Sequence, residues 1–184
     1  MLLSSEDHPA NVVAQDSEGR LPIHRAILLG YAEVADTLLV AMEFSEQEAE
    51  STGKSKKWTV RKEVEGDLTA AAIERPPDGT ESFSEDFVRR LAQLETSHLH
   101  NSASLFHCWA GKDFASSFAR GKEIHLQDIV GPVDKKDDKG MTPLDSAIKT
   151  NSSGIVEEFL KAGCQPTQIY LIENCSLRLR KILD

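Results

Sequence analysis

Two distant segments of this chain carry one pattern, and that pattern limits the fold more than any other feature. Asp16–Val40 reads D-S-E-G-R-L-P-I-H-R-A-I-L-L-G-Y-A-E-V-A-D-T-L-L-V, and Asp137–Lys161 reads D-D-K-G-M-T-P-L-D-S-A-I-K-T-N-S-S-G-I-V-E-E-F-L-K. Without a gap, Gly19 aligns with Gly140, Pro22 with Pro143, Ile23 with Leu144, Ala26 with Ala147, Val34 with Ile155 and Leu39 with Leu160. Gly19 and Gly140 fall where a turn needs positive φ. The prolines suit the first turn of a helix, where a missing N–H costs nothing, and Thr142 can cap the helix that Pro143 begins. Ala26 and Ala147 are small enough to let two helices approach. Gly30 and Asn151 are the residues best able to end a helix in the left-handed region. Val34, Leu38 and Leu39, like Ile155, Phe159 and Leu160, then form an apolar stripe at helical spacing.

A turn, a helix opening on Pro, a short break and a second helix resemble the ankyrin repeat, whose signature is T-P-L-H-x-A between two such elements. Leu21 replaces the family's Thr in the first copy and His24 is kept, while Asp145 stands at the histidine position of the second copy. The resemblance implies that His24 hydrogen-bonds neighbouring backbone and has no catalytic role. It also implies protein–protein recognition through the turn tips and the concave face of the first helices. By register this names Gln15, Ser17, Arg20, Leu28 and Leu29 in the first copy, and Lys136, Asp138, Met141, Lys149 and Thr150 in the second. The adjacent leucines 28 and 29 are unusual at positions that are mostly small or polar, so either a partner covers them or the segment from Trp58 to Leu94 folds back over them, the second being the expectation preferred.

Two units cannot bury their apolar faces alone, and roughly three are needed for a stable stack. Leu2 and Leu3 stand where a preceding second helix would close, or serve as a minimal cap. Between residues 102 and 132, Leu105–Ala110 and Lys112–Arg120 read as a degenerate helix pair stopped by Gly111 and Gly121. Counting back from the clear repeat instead puts a helix end near Leu126-Gln127, and both registers stay open. Pro166–Glu173 and Ser176–Leu183 read as a terminal helix pair, with Ile169, Leu171, Ile172, Leu177, Ile182 and Leu183 apolar and Arg178, Arg180 and Lys181 facing water. The same stretch has a faint similarity to a SOCS box but lacks the Leu-Cys-Arg core, so a cap is the better reading.

Residues 45–101 break the pattern. Ser45–Lys57 is polar and charged and is expected to be an exposed loop. Trp58–Val64 alternates as a strand does, Gly66-Asp67 suits a turn, and Leu68–Ile73 can return as a second strand or form a short helix. After the Pro76–Gly79 breaker, Ser82–Glu85 offers a capping box before Phe87, Val88, Leu91 and Leu94, so a helix is expected from about 84 to 95.

The chain's 30 acidic against 21 basic residues give a net charge of -9, which argues against a grip on nucleic acid. Lys54–Lys57 and Arg178–Lys181 are short enough to be solvated faces. Cys108, Cys164 and Cys175 are odd in number and widely spaced, which points to a reducing compartment. No apolar run reaches the ~18 residues of a membrane span and no leader pattern is present, so a soluble, intracellular and cytoplasmic monomer is expected. His98, His100, His107 and Cys108 invite a zinc reading, but match no ligand spacing. Cys108 with His107 or His125 could mimic a thiol nucleophile and its base, although a cysteine beside Trp109 is more often a small core residue. No phosphate-cradling loop and no hydrolase motif occurs.

The sequence thus predicts an all-α ankyrin-repeat solenoid with a large insertion able to hold a small β-hairpin. Its parts are a cap and first repeat (1–44), the insertion (45–101), a degenerate repeat (102–132), a clear repeat (133–164) and capping helices (165–184). The expected partner is another protein, with no cofactor, metal or catalysis. The runner-up is a targeting or regulatory piece of a longer enzyme-containing chain, and third comes a thiol enzyme built on Cys108.

Overall fold

The computed structural model describes residues 11–51, 67–74, 83–99, 103–112, 114–121, 126–167 and 176–183, which are mostly helical with no strand among them. The helices are α1 (Pro22–Leu28), α2 (Ala32–Ser51), α3 (Asp67–Ile73), α4 (Glu85–His98), α5 (Leu105–Lys112), α6 (Ala115–Gly121), α7 (Leu126–Val130), α8 (Pro143–Lys149), α9 (Ser153–Lys161) and α10 (Leu177–Leu183). The chain divides into two compact units, Met1–Leu94 and Glu95–Asp184.

In the first unit α1 packs against α2 and α3. Leu21, Ile23, Ile27, Ala35, Leu39 and Met42 are almost wholly buried between them. Leu39 and Met42 follow Ala35 at i+4 and i+7, so one stripe of α2 faces inward. Val34 does not join that stripe as the alignment predicted, since it is half-exposed. Its neighbour Ala35 takes the buried place because a helix turns only about 100° per residue. Arg90 of α4 ties α4 to α2. Its Nε and Nη2 donate to Glu43 at 3.1 and 2.6 Å, and its Nη1 donates to Asp36 at 3.0 Å.

The described parts of the insertion meet expectation in some places and depart from it in one. Ser45–Ser51 is not a loop but continues α2. Of the two readings left open for 68–73, the short helix is the one present, as α3 (Asp67–Ile73), with Leu68, Thr69, Ala70 and Ala72 buried. Three alanines and a leucine lose little rotamer freedom in a helix, which favours this choice. The expected strand Trp58–Val64 lies outside the described residues. The helix predicted over 84–95 is α4, capped by the Ser84 hydroxyl, which accepts the N–H of Phe87 at 3.2 Å. Phe83 and Phe87 stack at 4.9 Å and are buried.

In the second unit α5 packs against α6, α8 and α9, and α9 also meets α6, α8 and α10. Phe106 is the hub, edge-on to Trp109 at 5.5 Å, Phe118 at 5.6 Å and Phe159 at 6.4 Å. The expected pair at 105–110 and 112–120 is present as α5 and α6, while at Leu126-Gln127, where the competing register put a helix end, the separate short α7 begins instead. At the end of the chain Leu179 is buried in α10 with Arg178, Arg180 and Lys181 exposed, but Leu177 faces solvent at 78% exposure instead of adding to the apolar cap. The partner helix expected over 166–173 lies mainly outside the described residues.

The small residues of the repeat close-pack as expected, since Ala26 is 5% and Ala147 0% exposed. Ala147→Leu should overpack α8 and cost about 1–3 kcal/mol, and an unchanged urea midpoint would refute this packing. Asn151 holds φ of 60° where the first copy uses Gly30 at 73°. Asn151→Gly relieves a left-handed side-chain strain, so it should raise stability by up to about 1 kcal/mol, read as a higher melting temperature.

Candidate interaction surface

The two aligned turns are built alike, bond for bond. Asp16 Oδ1 accepts the N–H groups of Glu18 (2.8 Å) and Arg20 (2.9 Å), and Asp137 Oδ1 accepts those of Lys139 (2.9 Å) and Met141 (2.9 Å). The Asp16 N–H donates to the Arg20 carbonyl at 3.0 Å, as the Asp137 N–H does to Met141 at 2.9 Å. Gly19 and Gly140 supply the positive φ, 80° and 74°. Each turn thereby spends its aspartate on its own backbone and leaves the neighbouring side chains at the tip in solvent.

Most of the residues named by register are exposed or half-exposed. Gln15 and Ser17 are exposed at the first turn, and Lys136 and Asp138 at the second. Arg20 is half-exposed and paired with Asp16 at 3.6 Å and with Glu18. Leu28 and Leu29 are 51% and 55% exposed, so the described parts of the segment expected to cover them, 67–74 and 83–94, leave them open, while Trp58 lies outside the described residues. Phe83 and Phe87, which were expected to need that surface, instead stack on each other within the core. Tyr31, also more than half exposed, lies two residues beyond Leu29.

Two of the named residues are structural. Met141 is 8% exposed, and its carbonyl accepts the ring of His107. The Thr150 hydroxyl donates toward the Ala110 carbonyl at 3.1 Å and the Ser146 carbonyl at 3.0 Å, tying the end of α8 to the end of α5. Lys149 beside it is exposed.

The residues that sequence reasoning missed join one helix pair to the next. In α1 the Nδ1 of His24 accepts the Leu21 N–H at 3.1 Å, the backbone bond expected for it. His107 repeats this in α5, its Nδ1 accepting the Ser104 N–H at 3.1 Å, with the Ser104 hydroxyl 2.9 Å away. An Nδ1 that accepts leaves the ring proton on Nε2, which donates to the Met141 carbonyl at 3.0 Å. Both ring nitrogens are therefore committed, and His107 is neither a ligand nor a base in this arrangement. Of its suggested companions, His100 and His125 lie outside the described residues. Among the described residues no group of three His, Cys, Asp or Glu side chains is placed to hold a metal ion.

Asp145 occupies the same place in α8. Its Oδ2 accepts the Thr142 N–H at 3.0 Å and the hydroxyls of Thr142 (2.9 Å) and Thr167, while its Oδ1 accepts the Thr167 N–H at 2.9 Å. Burial pushes the carboxyl up, but the hydrogen bonds from Thr167 and Thr142 outweigh it and hold Asp145 below the usual carboxylate range. The signal for His107 was present in S-L-F-H, which matches L-P-I-H and T-P-L-D. It was hidden because Trp109 stands where the other copies have Ala26 and Ala147. The break after the helix confirms the register: Phe114 N–H donates to the Trp109 carbonyl at 3.1 Å, as Tyr31 does to Ala26 and Ser152 to Ala147.

Beside the second turn an open groove of about 500 Å³ runs between Asp134, Lys136 and Thr142 on one side and Cys164, Gln165 and Thr167 on the other. Cys108 is half-buried and Cys164 buried. No described helix is long and apolar enough to cross a membrane.

Asp145→Asn keeps the shape but sets an amide where only acceptors fit, so it should cost about 1–3 kcal/mol. The carboxyl's folded-state pKa is depressed, so its contribution is complete above the ordinary value of about 4 and is lost as pH falls through the lower folded value. Urea unfolding from pH 6 to pH 2.5 should show wild type and variant converging in acid. No family model, curated protein or solved structure matches the chain.

Proposed function

We propose that this chain is an ankyrin-type repeat array that recognises another protein and carries no catalysis of its own. The observation that supports the reading is the pair of matching turns, whose aspartates bind their own backbone while Gln15, Ser17, Lys136 and Asp138 project into solvent. Exposed Leu28 and Leu29 at the end of α1 add an apolar element. Such paired apolar exposure is characteristic of contact surfaces on water-soluble proteins. The partner-binding residues in this reading are Gln15, Ser17, Arg20, Leu28, Leu29, Lys136, Asp138, Lys149 and the exposed Thr150, with buried Met141 a support. The array works as an intracellular monomer. The commitment of His107 to two backbone groups supports a role without thiol chemistry at Cys108.

The test is capture of a partner by the intact chain, compared with Leu28→Ser combined with Leu29→Ser. Each leucine already lies half in water, so the double change should cost about 1.5–3 kcal/mol, roughly half of what two fully buried leucines lose. Binding should fall at least tenfold at a temperature where both proteins are folded. Unchanged binding by the double variant and by Lys136→Glu would overturn the assignment of these residues.

A further inference from the structure

We propose that the face of α2 turned away from the core is a second docking surface, and that its occupant is a basic amphipathic helix of another protein. The inward stripe of α2, formed by Ala35, Leu39 and Met42, is fully buried. On the opposite side Glu33, Thr37, Val40, Phe44 and Glu48 follow one another at spacings of three and four residues, and all are exposed. Val40 is 49% and Phe44 61% exposed, and Val34, at the edge of the stripe, is 51% exposed. Thr37 turns its hydroxyl back onto the Glu33 carbonyl at 2.8 Å. Side chains this open add little to the core, and valine and phenylalanine are poorer helix formers than lysine or glutamate. The fold does not call for them here, whereas a contact surface does.

Charge selects the occupant. Six of the twenty residues of α2 are Asp or Glu, and none is Lys or Arg. One flank is already met from within the chain, where Arg90 of α4 donates to Asp36 at 3.0 Å and to Glu43 at 2.6 and 3.1 Å. A further partner answers the helix in the same way, with lysines or arginines flanking its apolar residues. A second copy that set α2 against α2 would oppose like charges, and the same repulsion turns away nucleic acid and anionic lipid. A helix spends its backbone N–H and C=O groups on itself, so no strand can add to it, but side chains spaced by three and four residues form ridges that seat another helix. Val34 to Phe44 spans about 15 Å of axis at about 1.5 Å per residue, which calls for about three turns of partner. This face uses residues other than the turn tips. It takes from the proposed function only that the chain binds protein.

The test is titration of the intact chain, at low salt, into a labelled peptide of leucine and lysine at helical spacing, about four turns long, read by fluorescence anisotropy. The lysine peptide should bind and weaken as salt is added, and a counterpart with glutamate in place of lysine should not bind. Val40→Ala combined with Phe44→Ala keeps a strong helix former at both positions and should weaken binding at least about tenfold. Glu33→Lys combined with Glu48→Lys should do the same by charge alone. Lys136→Glu should bind as wild type does, which separates this face from the turn tips. No binding by wild type, equal binding of the glutamate peptide, or full binding by both α2 variants would overturn the proposal. Two other occupants have their own signatures. A sedimenting mass that grows with concentration and reverts in Arg180→Glu would give the face to the basic α10 of a second copy. Peptide binding tightened about tenfold by Lys54→Glu, Lys56→Glu and Lys57→Glu together would give it to the residues that follow α2. Either result overturns the assignment to another protein.

Discussion

The first turn of an α-helix leaves backbone N–H groups without intrahelical partners, and this chain answers that need with the third residue of its short first helices. His24, His107 and Asp145 each accept the N–H of the residue that precedes their helix. His107 and Asp145 also reach forward, to Met141 and to Thr167, so the side chain that starts one helix pins the segment leading to the next. A helix pair of this size has too little core to stand alone. The rest of the second unit depends on these forward bonds to bring successive pairs close enough for their apolar faces to meet.

The core that results in the second unit is aromatic. Phe106 touches rings from its own helix, from α6 and from α9, and edge-to-face pairs add to the area they remove from water. Trp109, fully buried where the other copies use alanine, fills volume that a small residue would leave empty. In the first unit the two helices meet through Ala26 and Ala35, and the charged clamp of Arg90 on Glu43 and Asp36 holds α4 against the side of α2. A partly exposed bidentate pair of that kind adds orientation more than stability.

The surface inherits its character from the same economy. Asp16 and Asp137 satisfy their own turns, and the neighbouring side chains at the tips are exposed to solvent. Met141 and Thr150 differ from them. Their register placed both on the surface, yet one is buried beneath the turn, while the other stays exposed and also bonds the backbone of α5 through its hydroxyl. A register position states where a residue stands along the chain, whereas its contacts depend on which neighbouring pair packs against it.

What the sequence determined by itself was local. The turns, the capping of α8 by Thr142 and Asp145, the left-handed break at Asn151 and the amphipathic α4 depend on bonds that span five residues or fewer, so residue order alone encodes them. The helical state of Asp67–Ile73 was left open because periodicity cannot separate a short alanine-rich helix from a short strand. The tertiary structure decided the rest. His107 finds its second partner 34 residues away and Thr150 its carbonyl on α5 40 residues away. Phe83 and Phe87 turned towards each other rather than towards Leu28 and Leu29. An apolar side chain seeks any dry surface, and only the folded chain fixes which one lies within reach.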